Sequence, residues 1–312
     1  VGATPEASQR FGVVEWALTA TIALVWGASF LFIRIGLQTF GSGMVPTMRI
    51  AFGMAAIACV PRSHAKIDTA DWPRVALLGL LWLALPFLLY SLAERTVSTA
   101  VTGIINGAVP LTTAAVGVVF QRRRPSARRA LALVLGFAGV SLVALSASRG
   151  AHPTADARGI LMLVAAITCY GLAMNVMPPL QRRYGAFPVL FRAQMVARVR
   201  SLPVAIASLP AAHFAWGALA AMIALGTLGT GLAYVALAVL IGRTDATRGT
   251  IGNFFTPIVA SLLGATLLHE PLTLAMLAGA ALVLAGAYVT SHPEPQLRPH
   301  EGRLAVERAA DE

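Results

Sequence analysis

Ten runs of apolar residues, most of them near twenty positions long, follow one another along the chain with short polar connections between them. They fall at residues 14–36, 44–60, 75–92, 97–120, 130–147, 159–178, 187–208, 215–240, 247–267 and 272–290. About 20 mostly apolar residues carry a helix across a bilayer's hydrocarbon core, where every backbone group must be satisfied internally. The pattern therefore predicts an all-α membrane protein with ten transmembrane helices. The seventh run is the most interrupted, by Arg192, Arg198 and Arg200, and the second is short where Pro61 stops it. No small-residue cleavage site follows the first run, which reads as a retained helix and not a signal peptide. Residues 291–312 are rich in proline and charge without an apolar face and read as a disordered tail.

Composition sharpens this picture. Of 312 residues, 57% are hydrophobic and only 12% charged, against about 25% charged in soluble domains. A net charge of +11 raises the question of nucleic acid, but such binders gather Arg with aromatics on a polar surface. Here the cations sit mainly between the apolar runs, where they set topology. With residues 1–13 on the cytoplasmic side, the inside segments hold sixteen cations, including the group Arg122, Arg123, Arg124, Arg128 and Arg129. The outside segments hold three, Arg95, Arg149 and Arg158. That asymmetry places both termini inside. Lys66 is the one lysine among many arginines and alanines, which points to a GC-rich bacterial source and a cytoplasmic (inner) membrane. Cys59 and Cys169 lie in apolar runs and read as small core or lipid-facing residues, not a disulfide.

The two halves repeat at an offset of 147. Ile104, Asn106, Pro110, Gly117, Leu135, Ala138 and Gly139 match Ile251, Asn253, Pro257, Gly264, Leu282, Ala285 and Gly286. Alanine and leucine matches are cheap in such a composition; Asn, Pro and Gly at one offset are not. Five spans per half is odd, so the second half, 159–290, enters the membrane inverted relative to the first, 14–147. Inverted five-helix repeats are a plan of secondary transporters. The turn Arg122-Arg123-Arg124-Pro125 falls inside, and its counterpart His269-Glu270-Pro271 falls outside and has lost its cations.

Several of these residues resemble signatures of the EamA-type permeases of the drug/metabolite transporter superfamily. Trp26-Gly27-Ala28-Ser29-Phe30 is similar to the family's first-helix motif, and Pro46 with Arg49 to the pair that opens its second helix. The two N-x-x-x-P helices, the turn His269-Glu270-Pro271-Leu272, and Ala285-Gly286 follow in the family's order. The resemblance implies a ten-helix fold with a central cavity lined by the first four and the sixth to ninth helices. The fifth and tenth would be peripheral and available to a homodimer. It implies small-molecule substrates of the amino-acid, nucleobase, vitamin or amphiphile kind. Arg123 and Arg124 replace an acid common in the family, and Arg198 and Arg200 are additions to its pattern.

The polar residues within the spans are the candidates for the cavity. Arg49 and Arg192 occupy analogous places in the two halves, at a depth where an unpaired cation is costly. Arg34 lies near a helix end and reads as snorkelling outward. Asn106 and Asn253 each stand four residues before a proline, Pro110 and Pro257, whose missing N–H frees the asparagine's own carbonyl. Each half thus offers a kinked helix with a free carbonyl beside an amide, the alternative role being helix packing. Asn175 and Gln194 are further polar candidates, and Trp26, Tyr90, Tyr170 and Tyr234 are candidates to stack on a substrate or anchor the interface. Glu94, closing the third span, is the candidate coupling group. Intramembrane charge is otherwise positive, which favours a substrate bearing a carboxylate or other anion. The glycine-rich Gly226–Gly231 follows no strand and reads as close helix packing, not a nucleotide loop.

Every histidine falls in a connection or tail, and the chain has neither an H-E-x-x-H motif nor paired carboxylates within spans. This argues against an intramembrane enzyme, and nothing calls for a metal or cofactor. A receptor or scaffold is the remaining alternative; it has no need of two related halves, whereas alternating access does. The reading is an exporter of a small metabolite, an amino acid or related compound, with no nucleic-acid partner.

Overall fold

The computed structural model describes residues 12–121, 125–149, 154–209, 212–243 and 252–291. Among these the chain is all helix: α1 Val13–Leu37, α2 Met44–Ala58, α3 Thr69–Ala93, α4 Thr99–Phe120 and α5 Ala127–Ser148. The second half holds α6 Ala157–Tyr184, α7 Ala186–Ser208, α8 Trp216–Ile241, α9 Gly252–Leu267 and α10 Leu274–Ser291. Six of them (α1, α3, α4, α5, α6 and α8) are long and apolar enough to cross a membrane. The start of the expected ninth span, the arginines at 122–124 and the tail from residue 292 lie outside the described residues.

Hydroxyl groups are tolerated in these helices because they bond back into their own turn. Thr19 Oγ1 donates to the Glu15 carbonyl at 2.8 Å, Ser91 Oγ to Phe87 at 2.9 Å and Thr168 Oγ1 to Val164 at 2.8 Å. The sixth helix runs six residues past its expected end at 178, through Pro178 and Pro179. Its last turn is anchored by Arg183, which ion-pairs with Asp68 and Asp71, and by the Tyr184 hydroxyl, which donates to Asp71 at 2.7 Å. The helix stops at Gly185, whose φ of 83° suits glycine.

Helix contacts follow a two-fold exchange of the halves. α2 packs on α7, α4 on α9 and α5 on α10, each against its own counterpart; α1 meets α8 and α9 as α6 meets α3 and α4. α5 and α10 approach so closely that a Cβ on Gly139 would lie 2.6 Å from the Gly279 carbonyl oxygen. The exchange extends to an irregularity. α3 is π-helical over Gly79–Ala84 and α8 over Leu225–Leu232, and Gly79 stands 147 residues before Gly226. In α3 the wider turn precedes Pro86, which cannot donate to the carbonyl four residues back.

The α9–α10 turn closes on the other half. The Glu270 carboxylate accepts from Thr99 N–H at 2.7 Å and Ala100 N–H at 2.8 Å, capping the positive end of α4. Glu270→Ala is expected to cost about 1–2 kcal/mol, read as a lower unfolding temperature in detergent, with Glu270→Gln losing about half as much. Equal stability of all three proteins would show that the cap contributes nothing.

Candidate functional site

The π-helical stretch of α8 is where side chains from three other helices converge. A π turn shifts backbone hydrogen bonding by one residue and leaves carbonyls open to outside donors. Trp26 Nε1 on α1 donates to the Gly229 carbonyl at 3.0 Å, and Gln194 Nε2 on α7 to the Thr230 carbonyl at 3.0 Å. Arg49 Nε on α2 donates to Thr230 Oγ1 at 2.9 Å. The Arg49 guanidinium is buried and lies 3.8 Å from the centre of the Phe87 ring on α3, a cation–π contact. Among the described residues no carboxylate pairs with it, and its two terminal nitrogens make no hydrogen bond. Gln194 is also fully buried, and its Oε1 has no partner among those residues. A cation and a hydrogen-bond acceptor, both tethered to Thr230, are thus left with free valence in one interior region.

Aromatic rings line this region. Tyr234 meets Trp26 and Trp82 edge-on, with ring centres 5.6 Å and 5.2 Å apart. Tyr90 lies 5.6 Å from Phe30 and 6.0 Å from Tyr170. Its hydroxyl donates to Asn106 Oδ1 at 2.7 Å, beside the break at Gly107–Ala108 that divides α4, one turn before Pro110.

Of the candidates named above, the structure brings together Trp26, Arg49, Gln194 and Tyr234 around α8, and Tyr90, Tyr170 and Asn106 beside them. Asn175 lies in the α4–α6 seam, donating to the Thr113 and Gly171 carbonyls at 3.0 Å and 2.8 Å. Arg192 is remote from Arg49, reaching the Ser63 and His64 carbonyls at 3.4 Å and 3.3 Å. Asn253 is the second residue of α9, and Pro257 is buried against Gly107 where α9 crosses α4. Glu94 is fully buried at the end of α3, and neither carboxylate oxygen has a partner among the described residues. Arg34 does not snorkel outward: it donates to the main-chain carbonyl of Glu94. Thr230, Trp82 and Phe87 were not among the sequence candidates.

The sequence profile described as "EamA-like transporter family" matches residues 15–145 and again 157–292. The chain belongs to the EamA-like transporter family. As an EamA-like protein it is a multi-pass membrane transporter and not an enzyme; it acts on a small molecule within a lipid bilayer. An uncharacterized transporter of Archaeoglobus fulgidus is 21% identical over 276 residues, spanning 88% of this chain and 98% of its own. The uncharacterized transporter YdfC of Bacillus subtilis is 25% identical over 271 residues, 85% of this chain and 87% of its own. A probable terminal-alkyne amino-acid exporter of Streptantibioticus cattleyicolor is 24% identical over 279 residues, 87% of this chain and 91% of its own. A solved crystal structure superposes with a TM-score of 0.59 at 17% identity, covering 88% of this chain and 95% of that one. At that identity the likeness is one of fold alone.

Proposed function

We propose that this EamA-like transporter exports an amino acid or related small zwitterion across the bacterial cytoplasmic membrane by alternating access. The observation that carries the reading is the pair of unsatisfied groups held on Thr230. Arg49 has free guanidinium nitrogens for a carboxylate, and Gln194 has a free carbonyl oxygen for an ammonium. Charge-assisted bonds of this kind are the strong ones, and the rings of Trp26, Trp82 and Tyr234 supply a wall for the side chain. The relative in Streptantibioticus cattleyicolor, described as an amino-acid exporter, supports the substrate class.

All ten helices cross the bilayer in this reading, and the five-helix halves, 14–147 and 159–290, are inverted. Both termini are cytoplasmic, and the α5–α10 flank is the surface for a homodimer. The test is flux into proteoliposomes with a panel of neutral, acidic and basic amino acids, L-propargylglycine, nucleobases and cationic drugs, each with and without a pH gradient. Flux of amino acids over the other classes is the expected result. No flux of any class would return the chain to a receptor or scaffold role.

Glu94 is the coupling group of this reading. A carboxylate enclosed without a partner is costly to ionise, so it holds a proton here and releases it when α1 and α3 part. Glu94→Gln is expected to keep substrate exchange at equal pH while losing at least tenfold in gradient-driven flux. An unchanged gradient response would remove Glu94 from the mechanism.

A further inference from the structure

Two arginines of α7 have no part in the transport site. The helix is continuous from Ala186 to Ser208, so Arg198 and Arg200 belong within it and not to a connection. Two residues apart, they point about 200° apart around the helix. Arg198 is half-buried and Arg200 exposed. Neither side chain makes a hydrogen bond or ion pair with a described residue. A membrane helix retains such a cation where it reaches water, reaches headgroups or meets an anion.

Arg200 borders a cavity of about 160 Å³ between α2, α3 and α7. Its other walls include Pro46, Leu80, Leu85, Leu88 and Val204. From Leu80 to Leu88 the apolar wall follows α3 for about 12 Å. Arg200 stands eight residues, also about 12 Å, from the end of α7 at Ser208. That end is fixed to the start of α2, with Gly43 N–H donating to Ser208 Oγ at 3.2 Å. An extended arginine side chain covers only about half of that distance, so an anion meets the guanidinium inside the cleft, below the headgroup level at that end of the helix. The cavity thus offers a methyl-lined slot with a single unpaired cation at its edge. Among molecules that surround a membrane protein, an anionic phospholipid has the complementary chemistry: a phosphate joined to an acyl chain.

We propose that the α2–α3–α7 cavity binds an anionic phospholipid of the surrounding bilayer, its phosphate on Arg200 and an acyl chain along Leu80, Leu85 and Leu88. This site is independent of what the transporter carries. It bears on transport nonetheless, because Pro46 precedes Arg49 by one turn of α2, so the lipid seats against the turn that presents the interior cation. Arg198, facing elsewhere, has no role in it.

The test is native mass spectrometry of the full chain released from micelles containing phosphatidylglycerol and phosphatidylcholine in equal amounts. The wild type is expected to retain phosphatidylglycerol preferentially, and Arg200→Ala to lose about tenfold in that preference. Arg200→Lys, which keeps the charge, is expected to retain most of it, a control against misfolding. Ala84→Phe, at another residue of the cavity wall, fills the slot and leaves the cation, and is expected to lose the bound lipid. Arg198→Ala removes the same charge and is expected to behave as wild type. The proposal is overturned if the wild type shows no preference, if Arg200→Ala keeps it, or if Arg198→Ala loses as much, which would mean diffuse charge and not a site.

Discussion

Arg49→Ala is expected to lower the transport of carboxylate-bearing substrates by roughly a hundredfold. Hydrogen bonds to a charged group contribute about 1.5–3 kcal/mol, and each 1.4 kcal/mol is a factor of ten, so loss of a bidentate carboxylate contact spans this range. Arg49→Lys is expected to recover little. An ammonium cannot donate to Thr230 Oγ1 and to a carboxylate with the planar fork that also lies over the Phe87 ring. The loss should be selective: a substrate without an anionic group should lose far less than an amino acid. Initial rates in proteoliposomes, with the amount of inserted protein equalised, give the comparison. Equal kinetics of Arg49→Ala and wild type for amino acids and neutral compounds would exclude Arg49 from the site.

The helices were legible in the chain because apolar runs of span length carry their own boundaries, and most observed ends lie within a few positions of the expected ones. Connections with anchoring partners were not. The overrun of α6 depends on Asp68 and Asp71, more than a hundred residues earlier, which no local pattern reports. The repeat was legible as matched Asn, Pro and Gly, yet it overstated the symmetry of the site. Asn106 receives the Tyr90 hydroxyl, but the position 147 residues after Tyr90 is Leu237, so Asn253 has no equivalent donor. Arg49 and Arg192 likewise occupy similar places in their halves, but Arg192 is drawn to the carbonyls of the α2–α3 connection. Thr230 was missed for a physical reason. A threonine in an apolar helix ordinarily bonds its own preceding turn, and only the π-helical register of α8, which leaves no trace in hydropathy, turns it toward Arg49. Gly226 and Gly231 let α2 reach that register, since a Cβ on them would overlap Phe52 and Ala56 of α2.

Gly226→Val should therefore lower both stability and transport strongly. A Cβ at Gly226 would overlap Phe52 Cβ and stand 2.7 Å from the Arg49 carbonyl oxygen and 3.1 Å from Gly53 N. Two of these three neighbours are backbone atoms, so no rotamer change relieves the overlap and α2 must move off α8. On the α2 side, Gly53 faces the same seam, where a Cβ would lie 2.8 Å from Thr230 Cβ. Overpacking of a close seam costs typically 1–3 kcal/mol, and with backbone on both sides about 3 kcal/mol or more is expected. The displacement also parts Arg49 Nε from Thr230 Oγ1, so transport should fall with stability. Gly217→Ala, earlier in the same helix, is the matched control. Nothing lies within 4 Å of a Cβ at Gly217, and alanine is favoured over glycine in a helix by about 1 kcal/mol. That variant should be as stable as wild type or slightly more so, by thermal unfolding in detergent followed by size exclusion. If Gly226→Val unfolded at the same temperature as Gly217→Ala and kept its transport rate, the close α2–α8 seam would not be what holds Arg49 in place.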